Sequence, residues 1–386
     1  MDFEFTKEQK LLEETVRRFV EKECPREYLR EIDKKGEFPL KVWEKIAQMG
    51  WFGIAIPEEY GGSGGDVMDL LIVLKGLTRR SMALGVAYTL GVLWGGETIL
   101  ACGTEDQKRY YLPEIAKGKI RFAMALTEPS GGTDLLSLRA KARVEDGHYI
   151  INAQKTFITG ASVADYIITL VRTDKSVDKK SKGLTLFIVD AKSPGLEIRR
   201  LEKLGVRAVS FDEIFYSDVK VPKENILGRL NDGFYDLLEI LNTERVLCAG
   251  TAIATAEGAF EEVLEYAKQR EAFGKPLGQI QIIQHHLANM AIEIHTANLL
   301  LYETAWLRQM NKPNVIEGNM GNLVATEVAE KVTSIGMNIM AGYAYSMEFD
   351  IQRHWRDAKH LIFAPISNDM IRNFIGERLL GFPRSY

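Results

Sequence analysis

Cysteine is scarce in this sequence: among 386 residues there are three, Cys24, Cys102 and Cys248, and they lie far apart. This spacing excludes a disulfide framework and a zinc site built from paired cysteines. Basic blocks are also missing, since 49 Lys and Arg residues face 53 Asp and Glu residues, for a net charge of −4. The balance argues against nucleic-acid binding, because phosphates select for a basic surface.

Long apolar runs and targeting signals are absent as well. Runs such as residues 70–74 and 299–301 fall far short of the roughly 20 residues that span a bilayer. The opening MDFEFTKEQK has two acids in its first four residues and lacks the apolar core of a secretory signal or the arginines of a transit peptide. We therefore expect a cytoplasmic protein without membrane insertion.

Hydrophobic periodicity divides the chain into three zones. Residues 1–120 follow a helical period, with Thr6 and Gln9 forming a capping-box pattern and helices predicted over 40–49, 67–78 and 104–115. The helical period returns from residue 229 and persists through long amphipathic stretches. Helical segments on either side of a β-rich segment indicate an α+β fold. The predicted domains are an N-terminal α-helical domain (1–120), a middle β domain (121–228) and a C-terminal α-helical bundle (229–386).

The middle zone consists of short β-branched or aromatic segments separated by turns. Asp146-Gly147 lies between two of them and is a strong signal for a two-residue hairpin. Strands of this length suggest a small sandwich or barrel. The predicted strands cover residues 140–144, 149–152, 166–171, 183–189, 196–201 and 213–221.

Several short patterns carry little chemical information. Residues 61–65, GGSGG, match the G-x-S-x-G nucleophile pattern, but no strand runs into them, which favours a flexible turn. His285 and His286 are adjacent and point to different sides of a helix, so no metal site is predicted. The lysines within 175–182 indicate a solvated loop. Neither the Rossmann nor the P-loop glycine pattern occurs.

Two features are more informative. Residues 127–134, TEPSGGTD, interleave hydroxyls with glycines at the predicted helix-to-strand junction, which suits either a polar turn or close approach to a ligand. Glu244 falls on the apolar stripe of its predicted helix, in step with Leu237, Leu241 and Cys248. A carboxylate in apolar surroundings is costly, so Glu244 is either paired with a structural cation or is a general base of raised pKa. Small residues within 249–259 would let another group approach this helix closely.

Five segments resemble the signatures of the acyl-CoA dehydrogenases, in family order and across almost the whole chain. They are FAMALTEPSGGTD (122–134), NAQKTFITG (152–160), DVKVPKENILG (218–228), QREAFGK (269–275) and RDAK (356–359). The resemblance implies an N-terminal helical domain, a central β-barrel-like domain and a C-terminal four-helix bundle. It also implies α,β-dehydrogenation of an acyl-CoA, commonly in a homotetramer, with electrons passing to electron-transfer flavoprotein.

The resemblance further implies FAD, held between the β domain and the bundle and partly by a neighbouring subunit. Arg270 suits the FAD pyrophosphate, because a guanidinium matches its oxygens in a bidentate fashion. The neighbouring subunit would supply Arg270, Phe273, Gln281 and the segment from Asn338 to Gly342. The full set of implied cofactor contacts is Met124, Leu126, Thr127, Gly132, Thr133, Phe157, Ile158, Thr159, Arg270, Phe273, Gln281, Asn338, Gly342, Ser367 and Asp369.

The catalytic base is where the sequence departs from most of the family. The usual Glu follows the Arg-Asp-Ala-Lys segment, but Pro365 occupies that position here. In isovaleryl-CoA and long-chain acyl-CoA dehydrogenases the base instead precedes an Arg on a bundle helix, which matches Glu244-Arg245. Glu-Arg also occurs there in crotonobetainyl-CoA reductase-like members. We therefore expect Glu244 to be the base.

Pro365 has no N–H, although the family's second donor to the thioester oxygen comes from this position. Either another N–H takes over or the oxyanion site is weaker. Ala364 replaces an aromatic residue that usually closes the acyl pocket, which suggests a branched, cyclic or aryl acyl group. The implied substrate contacts are Thr133, Asn242, Arg245, Tyr88, Trp94 and Ile366.

The sequence is also compatible with two other functions. The same residues serve an enoyl-CoA reductase that runs the reaction backwards. A FAD-binding scaffold without catalysis, or a nucleic-acid-associated relative, is the alternative of another class. Glu244 and the lack of a basic C-terminal extension argue against it.

Overall fold

The computed structural model describes residues 4–385, and it confirms the predicted α+β fold, in which helices precede and follow a central mixed sheet. The N-terminal zone is helical. The buried side chains of its first five helices form one apolar core with those of the C-terminal helices, whereas those of its last two helices join the core of the β zone. Its helices are α1 (Lys7–Glu23), α2 (Arg26–Lys35), α3 (Leu40–Gln48), α4 (Val67–Arg80), α5 (Met82–Gly91), α6 (Thr98–Cys102) and α7 (Glu105–Ala116).

Helix starts in this zone follow the sequence closely. The Thr6 hydroxyl accepts from the Gln9 N–H at 3.2 Å while the Gln9 side chain accepts from the Thr6 N–H at 3.1 Å, which confirms the capping box. Thr104 and Gln107 form the same arrangement at α7. Between α5 and α6, Val92–Glu97 is a π-helix, a rare wide turn that is frequent at functional sites and that the sequence analysis did not anticipate.

The continuous helical stretch Met82–Cys102 is long and apolar enough to cross a membrane by length and composition alone. In this fold, however, 72% of its most apolar window is buried inside the protein. The apolar character of this stretch is therefore explained by its packing in the core.

The middle zone is one mixed sheet. Its strands run in the order β6-β7-β3-β2-β4-β5-β8, and β1 pairs in parallel with β4. The predicted hairpin between β2 and β3 is confirmed, with Asp146 at φ 48° and Gly147 at φ 77°, as a two-residue turn of this type requires. The strands are β1 (Phe122–Ala125), β2 (Lys141–Glu145), β3 (His148–Thr159), β4 (Tyr166–Arg172), β5 (Leu184–Asp190), β6 (Leu196–Arg200), β7 (Phe211–Pro222) and β8 (Ile226–Leu227).

Long helices dominate the C-terminal zone. The first of them, α8, packs against α9 and α10 of the bundle and against α4 of the N-terminal zone. A small hairpin, β9 (Glu271–Ala272) and β10 (Lys275–Pro276), connects α8 to α9. The helices are α8 (Gly233–Gln269), α9 (Gln281–Gln309), α10 (Val315–Met340), α11 (Gly342–Tyr345), α12 (Ile351–Ala358) and α13 (Asn368–Arg378).

The small residues of α8 serve helix packing. A Cβ added to Gly250 would lie 2.6 Å from Leu71 Cδ2 of α4, and one added to Gly258 would lie 2.1 Å from the Arg79 carbonyl oxygen. Both distances are too short for a side chain. The group that approaches α8 closely is therefore a neighbouring helix.

Candidate functional site

The loop that follows β1 forms a tight turn with free polar groups. The backbones of Glu128 and Gly131 exchange two hydrogen bonds of 3.0 Å, which closes the turn. In the part of the chain that the structure describes, the Thr127 N–H and the hydroxyls of Thr127 and Thr133 have no hydrogen-bond partner. Gly132 approaches Thr127 so closely that an added Cβ would lie 3.3 Å from its methyl group. The loop thus offers unpaired donors beside exposed glycine backbone.

The end of β3 lies next to this loop. The Thr156 N–H donates to the Thr127 carbonyl at 2.9 Å, so the predicted segments 124–133 and 157–159 come together. Phe157 has a left-handed φ of 63° and leaves 57% of its side chain exposed, with its ring stacked on that of Phe211 at 5.3 Å. Ile158 is 2% exposed and Met124 is 8% exposed. Ile158 and Met124 can therefore reach a ligand mainly through their backbones.

These groups fit the ring system of FAD. Three kinds of group lie around the glycine-rich backbone of the loop. They are the exposed Phe157 ring, the Thr127 N–H and the hydroxyls of Thr127, Thr133 and Thr159. Within residues 4–385 this N–H and these hydroxyls have no hydrogen-bond partner. A flat heteroaromatic ring with several acceptor atoms requires this combination of an apolar surface and a few donors. The residues that would hold it, called the flavin cradle below, are Leu126, Thr127, Gly132, Thr133, Phe157 and Thr159.

A buried ion pair beneath this cradle was not identified from the sequence. The Lys155 side chain is completely buried, and its Nζ donates to Glu128 Oε1 at 3.0 Å and to the Leu126 carbonyl at 2.8 Å. Glu128 also accepts from the N–H groups of Arg139 at 2.6 Å and Ala140 at 2.9 Å. The sequence carries no local signal for this pair, because the two residues lie 27 positions apart.

The predicted contacts from the neighbouring subunit form a second, exposed group. Phe273 lies at the tip of the β9–β10 hairpin and is 95% exposed. The Arg270 guanidinium lies over the Tyr343 ring at 5.4 Å, which joins the end of α8 to the start of α11. The other three are also exposed: Gln281, Asn338 and Gly342.

Two further predicted contacts lie at the start of α13. The Ser367 hydroxyl accepts from the Met370 N–H at 3.3 Å and so caps this helix. Asp369, in the first turn, lies 3.5 Å from Arg372. Both side chains have partners within the helix.

Glu244 is buried on α8, as its periodicity predicts. The residue is 5% exposed, and no hydrogen bond to its carboxylate exists among residues 4–385. Burial raises the pKa of Glu244 to about 7, although the positive charge of Arg245 opposes the shift. Arg245 itself donates to Asn242 Oδ1 at 3.1 Å. A carboxyl group that is unpaired and titrates near neutral pH can take up or release a proton.

The π-helix contributes a second carboxylate beside α8. Glu97 Oε2 accepts from the Thr243 hydroxyl at 3.4 Å and lies 3.7 Å from Arg308 Nη2. Trp94, on the same turn, is partly buried and packs against the apolar cores of both the helical and the β zones. The π-helix therefore places an aromatic side chain between the zones and an acid next to the residue that precedes Glu244.

The structure corrects the expectation for Tyr88. Its side chain is fully buried, its hydroxyl donates to the Trp51 carbonyl at 2.8 Å, and its ring lies 5.6 Å from that of Phe52. All of its surface is covered by the protein and its donor is satisfied. In this structure Tyr88 belongs to the core of the helical domain and not to a pocket wall.

The segment around Pro365 has one free donor. The Ala364 N–H is used within the chain, since it donates to the His360 carbonyl at 2.9 Å. The Ile366 N–H has no hydrogen-bond partner in the described range 4–385. An N–H one residue after Pro365 is therefore available to donate to the thioester oxygen. This is the first of the two alternatives for the segment, in which another N–H replaces the one that Pro365 lacks.

Comparison with known proteins identifies the family. Models of the N-terminal, middle and C-terminal domains of acyl-CoA dehydrogenases match residues 6–119, 123–219 and 231–380. The chain is 36% identical to the caffeyl-CoA reductase-Etf complex subunit CarC of Acetobacterium woodii, over 92% of this chain and 93% of that one. It is 35% identical to the 3-(aryl)acrylate reductase of Clostridium sporogenes, over 97% and 99%.

A solved structure gives the same result. The butyryl-CoA dehydrogenase of Megasphaera elsdenii superposes with a TM-score of 0.94 at 34% identity, covering 98% of this chain and 100% of that one. The chain belongs to the acyl-CoA dehydrogenase family of FAD-dependent oxidoreductases, which dehydrogenate or reduce acyl-CoA thioesters.

Proposed function

We propose that this chain catalyses the α,β-dehydrogenation of a branched, cyclic or aryl acyl-CoA and that Glu244 is the base that removes the α-proton. The observation that carries the proposal is the placement of Glu244: buried, without a hydrogen bond in the described chain, and with a pKa raised to about 7. A base that titrates near the working pH is efficient in both of its protonation states. Glu244 can therefore accept the α-proton at neutral pH.

The remaining steps use donors already described. FAD, when bound, supplies the acceptor for the hydride that leaves the β-carbon. The Ile366 N–H donates to the thioester oxygen, where negative charge develops as the α-proton leaves. Asn242, Arg245 and Thr133 bind the CoA portion. Arg245 lies next to Glu244 and favours its charged form.

An aryl acyl group is the first choice among the three classes. Trp94 offers an aromatic surface between the two cores, and Ala364 is small where most of the family has an aromatic residue. Two similar proteins are named for caffeyl-CoA and 3-(aryl)acrylate. Both names describe an aryl group conjugated with an α,β-double bond.

The substrate class is tested by flavin bleaching with a panel of CoA thioesters. We expect 3-phenylpropionyl-CoA to reduce the bound flavin with a higher kcat/KM than isobutyryl-, cyclohexanecarbonyl- or butyryl-CoA. Fastest reduction by butyryl-CoA would contradict the acyl-group assignment. A flavin-loaded protein that no thioester bleaches would support the non-catalytic scaffold instead.

The same chemistry run backwards is the second candidate, and the names of the two relatives as reductases favour it. In that direction an enoyl-CoA accepts a hydride at the β-carbon, which reduced FAD would supply when bound, and a proton from Glu244 at the α-carbon. Electron-transfer flavoprotein is the proposed redox partner in either direction, since one relative is a subunit of an Etf complex.

The pH dependence of the two directions should be opposite. Dehydrogenation needs the Glu244 carboxylate, so kcat/KM for a saturated thioester should rise with pH and level off above about 7. Reduction needs the protonated acid, so kcat/KM for the enoyl-CoA should fall above about 7. Rates measured from pH 5.5 to 9 check both. If kcat/KM changed in the same direction with pH for both substrates, this would contradict Glu244 as the shared acid and base.

A homo-oligomer, the tetramer that is common in this family, completes the proposal. Ile292, Leu299 and Trp306 recur every seven residues on α9 and leave 62%, 45% and 45% of their surfaces exposed. Such spacing places them on one helix face, which suits packing against a second copy. Phe273 and Arg270 would then reach a neighbour's FAD. Light scattering of the purified protein measures the assembly.

A further inference from the structure

The buried pair Lys155–Glu128 has no part in the mechanism proposed above. Its two side chains are 0% and 4% exposed, and 3.0 Å separates Lys155 Nζ from Glu128 Oε1. Burying two charges costs free energy that their attraction only partly recovers. Stability alone therefore does not account for a pair at this depth.

One partner of Lys155 is a backbone carbonyl, and this determines what the charge can do. Lys155 Nζ donates to the Leu126 oxygen at 2.8 Å. That carbonyl and the Thr127 N–H belong to the same peptide group. A cation at the oxygen draws electron density from the amide and makes the N–H a stronger donor, as hydrogen bonds in a chain polarise one another.

The Thr127 N–H is free to donate to a ligand. It has no hydrogen-bond partner within residues 4–385, and it lies in the cradle that fits the flavin ring. The peptide is also held in place from its other side, because the Thr127 carbonyl accepts from the Thr156 N–H at 2.9 Å. The next residue, Glu128, is also held in place, because the N–H groups of Arg139 and Ala140 donate to its carboxylate.

We propose that Lys155 is a positioning residue that orients and polarises the Leu126–Thr127 peptide toward the flavin and thereby raises the flavin's reduction potential. The inference rests on the placement of FAD at this loop. The fixed N–H strengthens a hydrogen bond to an acceptor atom of the ring. The strengthened N–H donor favours the more electron-rich, reduced form of the cofactor.

Lys75 is a second largely buried lysine in an ion pair, and all of its hydrogen-bond partners are side chains of the helical zones. Its Nζ donates to Glu257 at 3.1 Å, Asn298 at 2.6 Å and the Tyr302 hydroxyl at 3.0 Å. All three are side chains on α8 and α9, packed against α4. Lys75 therefore provides a matched control, since its removal also takes a buried cation from an ion pair.

The test compares Lys155→Met with Lys75→Met in the FAD-loaded protein. We expect both to lower the denaturation midpoint. Only Lys155→Met should shift the flavin midpoint potential to a more negative value in a dye-coupled redox titration. Only Lys155→Met should weaken FAD binding, roughly tenfold, because a charge-assisted contact is lost. Lys155→Arg keeps the charge and should retain a potential closer to that of the wild type.

The redox titration needs no acyl-CoA, so its result is separate from the substrate assignment. A wild-type protein that no thioester bleaches would defeat the proposed function and leave this test intact. An unchanged potential and FAD affinity in Lys155→Met would overturn the inference and leave the pair a structural role. If Lys155→Met does not fold, Lys155→Gln, which removes the charge and keeps a polar group beside the Leu126 carbonyl, replaces it: a wild-type potential overturns the inference, and a more negative one supports it.

Discussion

Replacing Glu244 with Gln should slow flavin reduction by the substrate thioester roughly 10³-fold, within the range that general acid–base catalysis contributes. Gln has the shape of Glu and no group that can take up the α-proton at neutral pH. FAD binding should persist, because the cradle residues lie on β1, β3 and their loops and not on α8. Stopped-flow bleaching measures the rate. Exchange of the α-proton in D₂O, followed by NMR, measures the proton-transfer step by itself.

Glu262→Gln is the matched control. Glu262 lies on the same helix α8, is buried at 9% exposure and has a pKa raised by burial. It accepts from the Asp350 N–H at 3.0 Å, a contact inside the bundle that a neutral amide oxygen can also make. Its replacement should leave bleaching and exchange unchanged. A Glu244→Gln variant that bleaches within a few-fold of the wild-type rate would show that another group is the base.

Local signals in the sequence were sufficient for most of the fold. The hairpin turn at Asp146-Gly147 and the cap at Thr6 depend on a few adjacent residues, and the structure has both. Glu244 was found for the same reason, since its place on the apolar stripe of α8 depends only on helical spacing. The full course of β3 was not predicted, because the resemblance-carrying segment 152–160 lacks strand-like alternation.

Features that depend on distant contacts could not be read from the sequence. Strand β1, four buried residues long, owes its conformation to parallel pairing with β4. Lys155 and Glu128 lie 27 residues apart and meet only because β3 passes beneath the loop after β1. Tyr88 was expected to contact the substrate. Its hydroxyl instead donates to the Trp51 carbonyl. This contact depends on how α5 packs in the fold and has no signal in the sequence.

The Arg-Asp-Ala-Lys segment, identified from the sequence as a family signature, joins all three zones. Arg356 donates to Asp33 of α2 at 2.6 Å, to the Leu204 carbonyl of the β zone at 2.9 Å and to Gln352 at 2.8 Å. The adjacent Asp357 accepts from the Val206 N–H at 2.5 Å, and burial raises its pKa to about 6. Arg356 and Asp357 thus connect α12 to a loop of the β zone.

Arg356→Met should therefore lower the free energy of unfolding by about 3–5 kcal/mol, the usual cost of leaving one member of a buried ion pair unpaired. Asp33 is 6% exposed and would lose the cation that it faces. Because the penalty lies in that isolated charge, Asp33→Asn on top of Arg356→Met should restore part of the stability. Urea unfolding of both variants, followed by tryptophan fluorescence, measures the difference. Equal midpoints for the single and double variants would contradict this explanation, since the cost would then come from the lost contacts with Leu204 and Gln352.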